Sequence, residues 1–211
     1  MVALKRPLVK ICGITGLRDA LAAVEAGCDA VGFIFYRGSP RYITPAKAAR
    51  IISSLPEKIL KVGVFVDAPK ARILRAVKDC ALDAVQLHGK ETPEYCAGLK
   101  GIKLIKAFGL KLPPDPAVLK QYRGIWAFLF DAYAPKAKGG TGKTFDWNML
   151  AGLKIKNRVF LSGGLHAGNV ARAIKKIRPD WVDAGSRLES APGRKDICKM
   201  SAFIAAVTRH K

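Results

Sequence analysis

Apolar residues along this chain fall into two alternating patterns, and together these patterns predict its secondary structure. Continuous apolar runs with little alternation predict strands that are buried on both faces. Eight such runs begin at Leu8, Ala30, Lys61, Ala84, Lys103, Trp126, Arg158 and Trp181. Between the runs, apolar residues spaced three and four positions apart predict helices that pack on one face.

The helical stripes indicate which side chains should face the core. The first predicted helix is capped by Thr15 or Gly16 and ends at Gly27. Its stripe consists of Leu17, Ala20, Leu21 and Val24. The later stripes consist of Ala48, Ile51, Ile52 and Leu55; Ile73, Leu74 and Val77; Val170, Ala173, Ile174 and Ile177; and Met200, Phe203, Ile204 and Val207.

The order of these elements predicts the fold class. About eight strand–helix units follow one another without a long interruption, which favours an α/β architecture closed as a (β/α)8 TIM barrel over an open doubly wound sheet. No low-complexity tract divides the chain, and the densest proline region, 112–116, is short enough to be one loop. We therefore expect a single domain over residues 1–211.

Composition narrows the setting of the protein. The five cysteines are scattered without a Cys-x-x-Cys pair, and the three histidines lack metal-binding spacing, so we expect neither a disulfide framework nor a metal site. The absence of a signal-like or membrane-spanning apolar run predicts a cytoplasmic protein without a membrane partner. The net charge is +21, but lysine and arginine are spread along the chain. We therefore expect a small polyanionic substrate and no specific nucleic acid.

Candidate chemistry lies at the predicted strand ends, where barrels of this kind build their active sites. Cys12 ends the first strand, His88 follows the fourth, and Asp131 ends the sixth. Strands one and six are three steps apart in the ring, so Cys12 and Asp131 should face each other across the mouth as a base and an acid. Each residue alone has a structural alternative: a core cysteine, a capping carboxylate or a hydrogen-bonded histidine.

Glycine-rich turns predict a phosphate site. Gly163-Gly164 before a helix and Gly185-Ser186 after the last strand would expose backbone N–H groups, although both could be tight turns only. The stretch 137–144 approaches a nucleotide-binding P-loop. It has Ala137 where that pattern needs glycine, and it does not join a strand directly to a helix. We expect it to pack over the barrel mouth and hold Asp131.

Several motifs in a fixed order resemble the phosphoribosylanthranilate isomerases of tryptophan biosynthesis. They are Lys10–Thr15, Ser39–Tyr42, Val62–Val66, Val85–Gly89, Gly139–Trp147, Leu161–Leu165 and Pro192–Asp196. The resemblance implies a cofactor-free Amadori rearrangement of N-(5-phosphoribosyl)anthranilate to 1-(2-carboxyphenylamino)-1-deoxyribulose 5-phosphate in a (β/α)8 barrel. We expect a monomer or a homodimer.

The resemblance also implies residue roles. It makes Cys12 the general base, which must ionise below the usual thiol pKa of about 8.5, and Asp131 the general acid, protonated in the complex. Lys10 or Arg41 would assist the ionisation of Cys12 if either points inward. Arg41 is implied to bind the anthranilate carboxylate. The other substrate-binding residues are His88, Asp183 and the phosphate-binding Gly163, Gly164, Gly185 and Ser186.

One segment departs from the family pattern. The usual Asp-Val-Ser-Ser-Gly-Val-Glu reads here as 183–189, Asp-Ala-Gly-Ser-Arg-Leu-Glu. Arg187 in place of glycine either strengthens phosphate binding or crowds the close backbone approach. Three other functions stay open: a sugar-phosphate isomerase of histidine synthesis, which Cys12 disfavours because paired aspartates are expected there; a nucleotide-dependent enzyme; and a nucleic-acid binder.

Overall fold

The computed structural model describes residues 6–132 and 144–209. Eight strands form its sheet: β1 (Leu8–Cys12), β2 (Ala30–Ile34), β3 (Leu60–Phe65), β4 (Ala84–Leu87), β5 (Lys103–Leu110), β6 (Ala127–Ala132), β7 (Arg158–Leu161) and β8 (Trp181–Ala184). Each strand pairs in parallel with the next along the chain, and β1 also pairs with β8. The ring is therefore closed, and the predicted (β/α)8 barrel is confirmed.

Seven α-helices in the described residues surround the barrel: α1 (Leu17–Glu25), α2 (Pro45–Ile52), α3 (Lys70–Cys80), α4 (Pro93–Ala97), α5 (Pro116–Gln121), α6 (Val170–Ile177) and α7 (Ile197–Thr208). Several begin where a side-chain oxygen accepts a backbone N–H in the first turn, as Thr44 and Thr92 do ahead of a proline. Between β6 and β7, the described residues form a 3-10 turn, Trp147–Leu150. None of the described helices is long and apolar enough to cross a membrane.

The chain after β8 adds an element that sequence reasoning missed. A 3-10 turn, Ser186–Leu188, leads into an antiparallel hairpin of β9 (Glu189–Ala191) and β10 (Arg194–Lys195). The only local signal for it is the turn-forming Pro192-Gly193 pair, with Gly193 at a φ of +79°. Strands this short cannot be recognised from an apolar pattern.

Two apolar layers hold the barrel. The larger one lies between the strands and the surrounding helices, and the smaller one fills the barrel with side chains from Ala30, Val62, Ala84, Ile105, Ala107, Ala127, Leu129, Phe160 and Trp181. Lys10 is in register with Ala30 on one side and with Asp183 on the other. The side chains inside the barrel therefore change from apolar to charged close to the mouth.

The predicted helical stripe is correct for α7, but in α1 it is correct for Ala20 and wrong for Leu17 and Leu21. In α7, all four predicted residues are buried. In α1, Leu17 and Leu21 are 42% and 36% exposed, whereas Ala20 and Ala23 are fully buried. Alanines let α1 approach the barrel closely, and the buried Asp19 on this helix accepts a hydrogen bond from the Lys195 backbone at 2.8 Å. The contact between Asp19 and Lys195 thus places the alanines of α1, and not its larger leucines, toward the barrel.

The other stripes are correct in part. All four stripe residues around α2 are buried: Ala48, Ile51, Ile52 and Leu55. Of the four stripe residues of α6, only Ile177 is partly exposed. In α3, Leu74 is 48% exposed, and the inner face consists of Ile73, Ala76 and Cys80. The first helix is capped by Gly16 without a side-chain bond, because the Thr15 hydroxyl donates to the Gly193 carbonyl instead.

Candidate active site

One cavity opens where the carboxyl ends of the strands meet. Its walls bring together every candidate site residue: Cys12, Arg41, His88, Asp131, Gly163, Gly164, Asp183, Gly185 and Ser186. Sequence reasoning missed Tyr36, Ser39, Gln86 and Ser162, which also line it.

The thiol of Cys12 lies beside a buried ion pair. Lys10, two positions earlier on β1, is fully buried, and its Nζ donates to Asp183 Oδ1 at 2.8 Å. The Ser162 hydroxyl donates to the other carboxylate oxygen at 3.3 Å. Room for this group comes from Gly32 on β2, because a Cβ there would lie 2.8 Å from the Cys12 sulfur. Three strands therefore converge on one thiol.

Burial raises the pKa of the Cys12 thiol above its ordinary value. Lys10 and, more weakly, Lys195 act in the opposite direction, and Asp183 adds to the rise. The expectation that Cys12 ionises below the usual thiol pKa is therefore wrong for this structure: surrounding protein atoms disfavour the thiolate more than the cations favour it. The pKa of Lys10 is lowered by burial but raised more by Asp183 and Cys12, so its ammonium stays charged.

Asp131 occupies a different environment across the cavity. Its Oδ1 accepts the backbone N–H of Ala132 at 2.7 Å, and its Oδ2 lies 3.4 Å from His88 Nε2. His88 Nδ1 lies 2.8 Å from the Gln86 amide nitrogen. An amide that donates to Nδ1 fixes the ring proton on Nε2, where it faces the Asp131 carboxyl. His88 is thus placed to orient Asp131 as well as to line the cavity.

Arg41 reaches the cavity while held by the hairpin. Its Nε and Nη2 donate to the two Glu189 oxygens, each at 2.8 Å, and Lys195 Nζ donates to Glu189 Oε1 at 2.9 Å. Burial alone would raise the pKa of Glu189, but bonds from Arg41 and Lys195 lower it below its usual range. The guanidinium is fixed through one edge, and no described residue accepts a hydrogen bond from Nη1.

Glycines form the end of the cavity predicted to bind phosphate. Gly163 has a φ of +86°, and a Cβ there would lie 2.8 Å from the Ala132 nitrogen, so a side chain would displace the backbone beside Asp131. Gly185 lies close to the Cys12 carbonyl, since a Cβ there would be 3.3 Å from that oxygen. Arg187 lines this end, is exposed, and has an ordinary negative φ, so its backbone carries no strain.

Two further sequence predictions concern the P-loop-like stretch and a metal site. Residues 137–143 of the P-loop alternative lie outside the described residues, so the idea that this stretch holds Asp131 stays a prediction. In the described parts of the chain, no three His, Cys, Asp or Glu side chains converge in a way that could hold a metal ion.

Comparison with known proteins identifies the family. The family model described as N-(5'-phosphoribosyl)anthranilate (PRA) isomerase matches residues 9–206. The enzyme of that name from Pelobacter propionicus is 50% identical over 196 residues, covering 93% of each chain. The crystal structure of phosphoribosyl anthranilate isomerase from Thermotoga maritima superposes with a TM-score of 0.89 at 43% identity, covering 96% of this chain and 99% of that one.

A second similar structure contains a bound ligand. It is a phosphoribosyl anthranilate isomerase in complex with reduced 1-(o-carboxyphenylamino)-1-deoxyribulose 5-phosphate, with a TM-score of 0.83 and 39% identity over 96% of this chain and 99% of that one. Family model, relatives and barrel geometry agree along nearly the whole length. The chain belongs to the N-(5'-phosphoribosyl)anthranilate isomerase family, and it is an isomerase of the tryptophan-biosynthesis type.

Proposed function

We propose that this isomerase converts N-(5'-phosphoribosyl)anthranilate to 1-(2-carboxyphenylamino)-1-deoxyribulose 5-phosphate, with Cys12 as general base and Asp131 as general acid. The supporting observation is that the thiol and the carboxyl come from opposite strands, β1 and β6, and line one cavity. The rearrangement opens the furanose ring and shifts protons without net oxidation or reduction, so an acid and a base are sufficient for it and no cofactor is part of the proposal.

Each end of the cavity suits one anionic group of this substrate. Arg41 is buried and anchored by Glu189, which leaves one edge of a rigid guanidinium for the anthranilate carboxylate. At the other end, the turns at Gly163-Gly164 and Gly185-Ser186 would bind the phosphate through backbone N–H groups. Arg187 adds a positive charge there without backbone strain, so we favour its strengthening of phosphate binding over crowding.

The acid step begins at Asp131. The protonated carboxyl donates its proton to the furanose ring oxygen, the bond between that oxygen and C1 breaks, and the nitrogen lone pair forms the imine. Cationic imine nitrogen then makes the C2 proton acidic. The bonds from Ala132 N–H and toward His88 hold the Asp131 carboxyl in place while the proton leaves.

The base step uses the thiolate form of Cys12. The thiolate takes the C2 proton, the electron pair of the broken C2–H bond forms the C1–C2 double bond, and the electrons of the C1–N double bond return to nitrogen. The enolamine then ketonises as O2–H gives its proton to water and C1 takes a proton from water. The Cys12 thiol releases its proton to water and the Asp131 carboxylate takes one up, so both side chains return to their starting forms. Because the thiol pKa is raised, the thiolate fraction limits this step near neutral pH.

The reaction can be tested with freshly generated N-(5'-phosphoribosyl)anthranilate. Purified protein should cause rapid loss of the adduct's fluorescence, and mass spectrometry should find a product of unchanged mass that gains two hydrogens on borohydride reduction. Heat-denatured protein serves as the control for spontaneous decay. Folded protein that leaves the fluorescence decay at its spontaneous rate would overturn the proposed function.

A further inference from the structure

The proposed proton transfers do not use the buried cation of Lys10. Lys10 has no exposed surface, yet its ammonium stays charged next to the apolar side chains that fill the barrel. Removing a charge from water costs several kcal/mol even after relaxation, and a buried pair is seldom retained for stability alone. A buried lysine that is bonded to Asp183 of the cavity wall therefore calls for a chemical explanation.

Local packing directs Lys10 toward the thiol. The side chains of Lys10 and Cys12 share the space that Gly32 leaves open: a Cβ on that glycine would lie 3.2 Å from Lys10 Cε and 2.8 Å from Cys12 Sγ. The Lys10 ammonium donates to Asp183 Oδ1 at 2.8 Å, and its charge acts to lower the pKa of the Cys12 thiol. Since Cys12 and Lys10 lie two positions apart on one strand, both side chains point to the same face.

Asp183 is itself fixed, so it can hold the lysine in position. Its Oδ1 accepts from Lys10 Nζ at 2.8 Å and its Oδ2 from Ser162 Oγ at 3.3 Å. The Lys10–Asp183 ion pair has no net charge, and Cys12 is uncharged as long as it is a thiol. Loss of the thiol proton then places one new negative charge beside an ammonium that is already oriented toward it.

The geometry points to Lys10 as the positioning residue of the base: its ammonium, held by Asp183, is the counter-ion that stabilises the Cys12 thiolate during turnover. This inference rests on the proposed function of Cys12. The thiol proton leaves to solvent, Lys10 keeps its own proton, and the thiolate then accepts the C2 proton of the substrate. The charged groups that act on the sulfur are Lys10 from β1, Asp183 from β8 and Lys195 from β10.

Alkylation by iodoacetamide reports the thiolate of Cys12 without substrate, because only the thiolate reacts at an appreciable rate. The measurement is made in a Cys198→Ser background, since Cys198 is the exposed cysteine, and the Cys12 peptide is quantified by mass spectrometry. Lys10→Met should slow alkylation at pH 8 at least tenfold, which corresponds to one pKa unit. Asp183→Asn should accelerate it, because a repelling carboxylate is lost.

Lys106→Met is the matched control. Lys106 is an equally buried lysine, 2% exposed and paired with Glu91 at 2.8 Å, but it does not act on Cys12. Its variant should alkylate Cys12 at the wild-type rate within about twofold, a spread equal to a few tenths of a pKa unit. An equal slowing in Lys106→Met and Lys10→Met would mean that any lost buried charge disturbs the site, and would overturn the specific role of Lys10.

A second variant covers the case in which Lys10→Met leaves Asp183 unpaired and the protein unfolds. Lys10→Met with Asp183→Asn removes both charges, and Cys12 alkylation should still be slower than in wild type because Lys10 acts on the sulfur more strongly than Asp183 does. Wild-type alkylation in this double variant would overturn the inference. An active Cys12→Ala enzyme would instead overturn the proposed function, whatever the alkylation shows.

Discussion

The two sides of the cavity hold their reactive groups in opposite ways. Around Cys12, fixed charges dominate, with a buried ammonium and a buried carboxylate within one hydrogen bond of each other. Around Asp131, the partners are a backbone N–H, a histidine and, behind it, an amide. No described lysine or arginine forms an ion pair with Asp131. In the proposed mechanism, the base must become an anion and lies beside a cation, whereas the acid must carry a proton and has no such neighbour among the described lysines and arginines.

This contrast explains why two acidic side chains can work in opposite directions in one cavity. A thiol in an apolar pocket stays protonated, so ionisation needs a counter-ion nearby. A carboxyl beside a fixed cation would stay ionised and would be a poor proton donor. The arrangement of charges, more than the identity of the two side chains, therefore separates the base from the acid.

The largest expected effect comes from removing the base. Cys12→Ala should lower kcat by roughly 10²–10⁴-fold, the range for a lost acid or base, with the fold intact because a small residue replaces a half-buried thiol. Cys28→Ala is the matched control: that thiol is buried in the core, its pKa is raised to about 12 mainly by burial, and it lines no part of the cavity. Near-normal turnover in Cys12→Ala would remove the thiol from the mechanism.

Removing the acid should cost a similar amount and tests the other side. Asp131→Asn preserves size and the acceptor for Ala132 N–H but has no carboxyl proton to give, so kcat should again fall by roughly 10²–10⁴-fold. Steady-state fluorescence kinetics measure the loss. A variant that retains more than about a tenth of wild-type kcat would be too active for Asp131 to be the general acid.

Arg41→Ala should weaken substrate binding and leave the chemical steps at Cys12 and Asp131 largely unchanged. Loss of a charge-assisted bond to the carboxylate, worth about 1.5–3 kcal/mol, should raise KM by roughly 10–100-fold with a much smaller change in kcat. Thermal unfolding should also show a lower Tm, because Lys195 is then the only side-chain partner that Glu189 keeps among the described residues. An unchanged KM would contradict the role of Arg41 at the carboxylate end.

Arg187→Gly should have the smallest effect of the series. The side chain is exposed, and exposed charge pairs contribute about 0.2–1 kcal/mol, so restoring the glycine usual in the family should raise KM about two- to fivefold. The increase should shrink as salt is added, because salt screens exposed charges. A lower KM in the variant would show that Arg187 crowds the phosphate site.

Much of the barrel could be predicted from sequence because its strands and most helices carry their own signals. The stripe of α7 and the strand ends at Cys12 and Asp131 are local features, and the barrel topology converts them into one site. The full inner face of α1 could not be predicted: Ala20 can be recognised, but that Ala23 is buried and that Leu17 and Leu21 are exposed depends on the tertiary contact of the helix.

The electrostatics of the site lay beyond sequence reasoning for a related reason. Arg41 and Glu189 are 148 positions apart, and the hairpin that brings Glu189 to the cavity has no apolar pattern. Lys10 could be named as a possible helper of Cys12, but its full burial and its bond to Asp183 depend on three strands meeting. The direction of the Cys12 pKa shift depends on burial, which a motif does not report.

The most direct test of the proposed base is the pH dependence of Cys12 alkylation by iodoacetamide compared with that of the inactivation it causes in the same buffers. Because the pKa of Cys12 is raised, both rates should still climb through pH 8 and share one midpoint above the usual thiol value of about 8.5. Full activity in enzyme whose Cys12 is completely alkylated would contradict the claim that the Cys12 thiolate is the base.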